Sequence, residues 1–465
     1  MESPATGQAR LTQMPWLPRH ARWAPGLLVL LGLATHLIGL RHPAVVTFDE
    51  VHWGRSVTAY CCTGERLFDV HPPHGKLLLT LGAVLGGYDG RQSFESIGRP
   101  YGAQPIFWLR LMPALSGVLI PLLFFLFLRG VGGSVATAWL GGLLLTLDNA
   151  FILETRTMLF DGILVASTLG ALVCLLAVER ARSSHVAWAW TVACGALAGL
   201  AVGTKFTGLT VWVLIAAWLG SAWWTEPRTA GRTVLLRRAL VMGAAGIVIY
   251  LAGWMVHFAL LTRPGPADVY HPTTGRFIED VRVVHRMMFA ANAAMTSTHP
   301  DASHPLSWPL MKVPPFFWAG SNGAVEYLIG NPVVWWGSSL LLVVIVVNTG
   351  LMRVTRLRLE SRPRASRLWW LMLAYAVAYL PFFGVSRILF LYHYLTPLVF
   401  SLAYVLLWLE EAGWIRPEQA GGQRASYYVV IASAIVGFAL MSPLTYGFSA
   451  GAYGEWLVAA IRSWR

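Results

Sequence analysis

Residues 107–128 read FWLRLMPALSGVLIPLLFFLFL, 22 residues carrying one charge, Arg110. About 20 apolar residues in a helix cross the hydrocarbon core of a bilayer, so this stretch predicts a membrane-spanning helix. Ten further apolar segments lie around it: Trp23–Leu40, Ser134–Leu147, Phe160–Val178, Val186–Thr204, Phe206–Trp224, Ala239–Leu261, Val333–Met352, Leu368–Phe383, Ile388–Leu409 and Tyr427–Phe448. Over all 465 residues the chain is 56% hydrophobic and 12% charged, about half the charge of an ordinary soluble domain. That composition excludes a soluble enzyme and a disordered scaffold. The fold class expected is all-α integral membrane, with about eleven transmembrane helices and two long extracytoplasmic loops.

Charge orients the body. The net charge is +13, yet only Lys76, Lys205 and Lys312 are lysines. The arginines gather in short loops, at Arg129, Arg180, Arg182, Arg228, Arg232, Arg237, Arg238, Arg353, Arg356, Arg358, Arg362, Arg364, Arg367, Arg416 and Arg424. With eleven spans these all share the side of the N-terminus, where Arg19 and Arg22 precede the first segment. The positive-inside rule makes that side cytoplasmic. Arginines at loop ends, without an aromatic-studded basic face, do not make a nucleic-acid surface. The expected organisation is a cytoplasmic N-terminus at 1–22, helices one to seven within 23–261, and helices eight to eleven within 333–448. Extracytoplasmic loops fall at 41–106 and 262–332, and an extracytoplasmic C-terminus at 449–465.

The first loop holds an apolar run, Leu77–Leu85, too short to span and expected to lie along the interface. In the second, Phe277, Val281, Val284, Met288, Ala291 and Met295 recur at four and three, which predicts an amphipathic helix. Four cysteines are too few for a disulfide framework. Cys61 and Cys62 are adjacent, and Cys174 and Cys194 read as buried thiols inside apolar segments.

The outer side collects the unusual polar residues: Asp49-Glu50, Asp69-Val-His71-Pro-Pro-His74-Gly-Lys76, Asp148-Asn149, Glu154-Thr-Arg156, Asp161, Lys205, Arg387 and Tyr392-His393-Tyr394. Carboxylates, cations and a greasy body at one face suit a lipid-phosphate substrate. The tail needs an apolar groove and the phosphate needs cationic donors, arginine's fork above all. A carboxylate set against an incoming hydroxyl serves as general base, and cations stabilise the charge on a departing phosphate. Asp49 is the candidate base, and a single displacement at a sugar carbon inverts it.

At these residues the chain resembles the protein O-mannosyltransferase family, membrane glycosyltransferases of the GT-C class. Asp49-Glu50 is similar to the family's Asp-Glu motif, and Asp69-Val-His-Pro-Pro with Lys76 to the signature after it. Arg110-Leu-Met-Pro-Ala, Leu147-Asp-Asn-Ala with Glu154, Arg156 and Asp161, and Leu391-Tyr-His-Tyr follow in order. The resemblance implies transfer of mannose from a polyprenyl-phosphate carrier to serine or threonine hydroxyls of proteins, from a β-linked donor to an α-linked product. It implies no cofactor and no required metal, the lipid-linked sugar being a co-substrate. Asp49, Glu50 and Arg110 take catalytic roles by this likeness. His71, Lys76, Glu154, Arg156, Arg387 and His393 are candidate substrate-binding residues. The partners implied are the bilayer, the lipid-linked mannose and Ser/Thr-containing acceptor proteins during export.

Two departures stand out. The family's eukaryotic members carry a β-trefoil MIR domain in the second long loop, and 262–332 is too short to hold one. That favours a bacterial member in the cell (inner) membrane. After His71-Pro72-Pro73 the chain reads His74-Gly75, where relatives more often have leucine and a small residue.

Plainer readings exist for each site. Asp49 and Glu50 suit a helix N-terminus, Lys76 can snorkel, Arg110 and Arg156 can anchor helix ends, and His393 between tyrosines fits an interfacial belt. His52, His71, His74 and His393 match no zinc spacing. Two rival functions are a lipid-donor glycosyltransferase with a glycan or lipid acceptor, such as an aminoarabinose transferase, and a secondary transporter. The first usually shows Lys-Pro-Pro where this chain has His71-Pro72-Pro73. The second calls for repeats with ionisable groups at the midplane, and no repeat is visible.

Overall fold

A computed structural model describes residues 23–271, 274–295, 298–354, 362–415 and 422–464. Arg19, Arg22, Arg356, Arg358 and Arg416 lie outside them. Among the described residues sixteen α-helices follow in chain order. The N-terminal part comprises α1 (Ala24–Leu37), α2 (Glu50–Thr58), α3 (His74–Leu85), α4 (Ile106–Gly130), α5 (Val135–Thr146), α6 (Asn149–Arg156), α7 (Asp161–Val178) and α8 (Ser184–Thr204). Then come α9 (Leu209–Thr225), α10 (Thr229–Leu260), α11 (Phe277–Ala294), α12 (Pro332–Val354), α13 (Arg362–Tyr379), α14 (Leu395–Glu411), α15 (Gly422–Tyr446) and α16 (Gly451–Ser463).

All eleven apolar segments are helical, but they are not all simple spans. Among the described residues seven helices are long and apolar enough to cross a membrane. An eighth is obtained if α5 and α6, bent by 55° at Leu147-Asp148, count as one. The bend has a local cause: the Asp148 side chain caps α6 by accepting from the Phe151 amide at 3.1 Å. The other Asp148 oxygen accepts from Asn331 N at 3.0 Å and Trp335 Nε1 at 2.9 Å. The first segment forms only the 14-residue α1. The chain is thus a multi-pass membrane protein, and its outermost helices turn Leu240, Ile247, Val248, Val343, Val344, Val429 and Val436 outward.

Close helix contact is set by small residues. A Cβ on Gly195 would stand 2.2 Å from the Met242 carbonyl oxygen, and one on Gly199 2.4 Å from that of Gly246. The four-residue spacing lets α8 and α10 touch backbone to backbone, as small residues do between membrane helices.

Two loops build one end of the helical body. The first carries α2, a π-helical turn over Ala59–Thr63, and α3, which contains the apolar run Leu77–Leu85. Cys61 and Cys62 are joined by a disulfide within that turn, whereas Cys174 and Cys194 are free and buried. The second loop carries α11, which buries Val284 and Met288 against Trp254 of α10, as its periodicity predicts. It also holds an antiparallel hairpin, β1 (Phe316–Ala319) and β2 (Val325–Tyr327), with Phe316 opposite Tyr327. From Arg110 to Arg129 along α4 is roughly 28 Å at 1.5 Å per residue. The Arg129 end also holds Arg180, which donates to the Gly130 carbonyl.

Candidate active site

The end of the body built by the two loops holds a cavity of about 740 Å³. Its lining includes Phe48, Asp49, His52 and Trp53 at the start of α2, Glu65–His71 from the loop after it, and Arg387, Tyr392 and His393 before α14. His299 closes it from the second loop.

Asp49 and Glu50 are adjacent and face opposite ways. Glu50 is fully buried and points into the protein. Its Oε1 accepts from Arg110 Nε at 2.7 Å and Met158 N at 3.0 Å. Its Oε2 accepts from Arg110 Nη2 at 2.9 Å, Thr47 N at 2.9 Å and Tyr101 OH at 3.1 Å. Arg110 completes its coordination on main-chain carbonyls, those of Pro43 at 2.9 Å and Val45 at 3.0 Å. A bidentate pair so saturated has no donor left for a substrate. Glu50 and Arg110, expected as catalytic, are thus turned away from the cavity lining, and their pair rivets the first loop to α4.

Because successive helix residues are about 100° apart, anchoring Glu50 inward turns Asp49 outward into the cavity. Asp49 sits at the N-cap of α2 but makes no side-chain capping bond, so the plainer capping role is not what it performs. Before it Phe48 has φ 41, a region costly for a bulky residue. It is held there by its amide donating to Phe317 O at 3.0 Å and by its ring stacking on Phe317 at 4.3 Å. The hairpin of the second loop thus clamps the turn that aims Asp49. Burial raises the Asp49 pKa from its usual value, against the pull of His52, Lys205 and His299, while Asp161 raises it further.

The other candidates separate by what they touch. His71 and His393 line the cavity. The pKa of His71 is held well below the usual imidazole value, by burial first and then by Lys205, Arg387 and Lys76. Arg387 reaches the cavity while donating to Asn292 Oδ1 of α11 at 2.7 Å. Lys76 does not reach it: it is buried, with Nζ on Asp69 Oδ2 at 2.5 Å and on the His71 carbonyl at 2.8 Å. Arg156 is likewise withdrawn. It donates to the carbonyls of His36 at 3.0 Å, Ile38 at 2.8 Å and Gly39 at 2.8 Å, closing the C-terminus of α1, and lies over the Tyr446 ring. Orphan helix-end carbonyls attract such a cation. Neither Lys76 nor Arg156, expected as substrate-binding, is among the residues that line the cavity. Glu154 is buried, with Asp161 and Lys205 near its carboxyl.

Sequence reasoning grouped Lys205 with the polar residues of this face but gave it no role. Its Nζ meets Asp161 Oδ2 at 2.6 Å and lies over the rings of Phe160 and Tyr392, at 5.2 and 5.1 Å. The signal was there: one of three lysines in the chain, set at the break between two apolar helices. His52 was weighed only as a zinc ligand, and His299 was missed because it is part of no recognisable motif.

A model of the dolichyl-phosphate-mannose–protein mannosyltransferase family matches residues 26–262, and a model of the C-terminal four-transmembrane region of protein O-mannosyltransferases matches 277–464. The chain belongs to the protein O-mannosyltransferase family. Protein O-mannosyl-transferase 1 of Danio rerio is 32% identical over 245 residues, covering 51% of this chain and 34% of the relative. Protein O-mannosyltransferase 1 of Drosophila melanogaster is 34% identical over 250 residues, covering 52% and 28%. This family member thus spans about a third of the length of the curated relatives it matches. In fold it is similar to the S. cerevisiae protein O-mannosyltransferase Pmt1-Pmt2 complex bound to the sugar donor, with TM-score 0.85 at 17% identity, covering 93% of this chain and 91% of that one. It also resembles ArnT from Cupriavidus metallidurans bound to undecaprenyl phosphate, with TM-score 0.55 at 17% identity, covering 94% and 69%. The fold is GT-C.

Proposed function

We propose that this family member transfers mannose from a polyprenyl-phosphate carrier to serine or threonine hydroxyls of proteins, at the extracytoplasmic face of a bacterial cell membrane. The observation that carries the reading is Asp49: a carboxylate freed from helix capping, turned into a cavity that also receives Arg387, His71 and His393. In the reaction the Asp49 carboxylate accepts the proton of the acceptor hydroxyl as its oxygen attacks the anomeric carbon. The bond from that carbon to the phosphate oxygen breaks, and the phosphate leaves with the electron pair. One displacement inverts the centre, so a β-linked donor gives an α-linked product. Arg387 and a His71 N–H are the donors offered to the departing phosphate, with Lys205 adding positive charge nearby. No cofactor takes part.

The side assignment follows from charge. The cavity lies at the Arg110 end of α4, about 28 Å of helix from Arg129, and short-loop arginines mark the cytoplasmic side. Incubating the purified full-length protein with labelled polyprenyl-phosphate-mannose and a Ser/Thr-rich peptide tests the activity. Label base-releasable from the peptide is expected; label only in a glycan or a lipid overturns the acceptor class.

A further inference from the structure

One wall of the cavity is not used by the transfer chemistry. Six consecutive residues, Glu65 to Val70, line it, and four of their side chains are held by the protein. Arg66 donates to Asp268 Oδ1 at 3.4 Å and to the Thr262 carbonyl at 3.3 Å. Leu67 packs with Ala59, Tyr60 and Leu261. Phe68 stacks on Tyr270 with ring centroids 4.7 Å apart, and Asp69 is held by Lys76 at 2.5 Å. With these four side chains held, the main chain of the segment is what remains to receive a ligand.

That main chain is paired at its start and then left open. Arg263 N donates to the Gly64 carbonyl at 2.9 Å and Arg66 N donates to the Arg263 carbonyl at 3.0 Å. Beyond Arg66 the pairing stops. Among the described residues no hydrogen bond reaches the peptide N–H or C=O of Leu67, Phe68 or Asp69, and the next contact is a long one from Asn292 Nδ2 to the Val70 carbonyl at 3.4 Å. Half-buried peptide groups are seldom left without partners, and a short unpaired edge is a template for another strand. Elsewhere in the same lining, Ser93 Oγ is buried without a partner.

We propose that the acceptor polypeptide binds as an extended strand, pairing its main chain with Leu67–Asp69 and so delivering its hydroxyl residue to Asp49 in the same cavity. The inference rests on reading this cavity as the transfer site. Pairing through peptide groups is indifferent to side chains, so it fits an enzyme that takes unfolded segments of varied sequence. It discriminates against folded ones, whose peptide groups are already occupied.

The test is a backbone N-methyl scan of a Ser-containing acceptor peptide, with the full-length enzyme in nanodiscs at saturating lipid-linked donor. In an extended strand only every second N–H faces a given edge. Methylation at alternate positions is therefore expected to lower kcat/KM for the peptide about fivefold to tenfold, the worth of one or two backbone hydrogen bonds. The intervening positions and the donor KM should stay unchanged. A flat scan, or losses that follow side-chain identity instead of alternation, overturns strand pairing while leaving the transfer reading intact. If the unmethylated peptide takes no sugar while another acceptor class does, the transfer reading falls and this inference with it. The variant Phe68→Pro, which deletes one N–H from the edge, should raise the peptide KM with the donor KM unmoved.

Discussion

Asp49 and Glu50 are chemically alike neighbours that the structure assigns to different work, so neutralising each in turn should give opposite phenotypes. Glu50→Gln replaces a carboxylate that accepts from Arg110 Nε and Nη2, the Thr47 and Met158 amides and the Tyr101 hydroxyl. The new amide turns an NH2 donor toward donors and leaves Arg110 buried without its counter-charge. Breaking a buried pair costs about 3–5 kcal/mol, a large part of the roughly 5–15 kcal/mol that holds a typical folded domain. Asp49→Asn removes no hydrogen bond that the fold depends on. Its cost falls on the reaction, where a general base contributes about 10²–10⁴-fold. Detergent-purified variants would be heated in steps and the fraction remaining monodisperse measured by size-exclusion, since unfolding of such proteins is often irreversible and is read as a rate. Turnover would be measured on the unheated samples. Glu50→Gln should lose monodispersity at clearly lower temperature, whereas Asp49→Asn should match the parent and be nearly inactive. An Asp49→Asn protein that turns over normally, or a Glu50→Gln protein as heat-stable as the parent, refutes the division of labour.

Three other outcomes follow from the same geometry. Since Lys205 pulls the Asp49 pKa down while burial raises it, Lys205→Met should push it further up; a base must be deprotonated, so the acidic limb of the kcat/KM profile should move to higher pH, and an unmoved limb argues against their coupling. Arg387→Ala should raise the donor KM by about tenfold or more, as expected for a charge-assisted bond to a phosphate, with the peptide KM steady; equal effects on both substrates would remove Arg387 from the phosphate. Burial raises the Glu326 pKa to about 8, with Glu50 adding to the rise and Arg110 and Arg156 opposing it. The folded state then holds a proton that the unfolded state releases between about pH 4.5 and 8, and stability falls as pH rises through that window; Glu326→Gln should be the more heat-stable protein at pH 8 and equal to the parent near pH 4, which parallel melting curves at the two pH values would check.

The span pattern was legible because a bilayer imposes it locally: each apolar segment has to satisfy its own backbone, so residues 107–128 announce a helix without any neighbour. The amphipathic α11 was legible for a similar reason, its period being written in Phe277, Val284 and Met288. Helix ends and breaks were harder. The bend at Asp148 depends on Asn331 and Trp335, almost two hundred residues away, and no local signal distinguishes it from a straight span.

The site divides the same way. The residue types that gather around the cavity, the Asp-Glu pair among them, could be read from the sequence, because chemistry constrains which side chains can do the work. That Asp49 and not Glu50 faces the cavity could not be read from the spacing. That was decided by Arg110, 60 residues on, whose guanidinium claims Glu50 and leaves its neighbour free. Arginine is the clearest case: Arg110, Arg156 and Arg387 carry the same charge on the same side, yet two close carbonyls and one meets a cavity, because direction belongs to packing and not to composition.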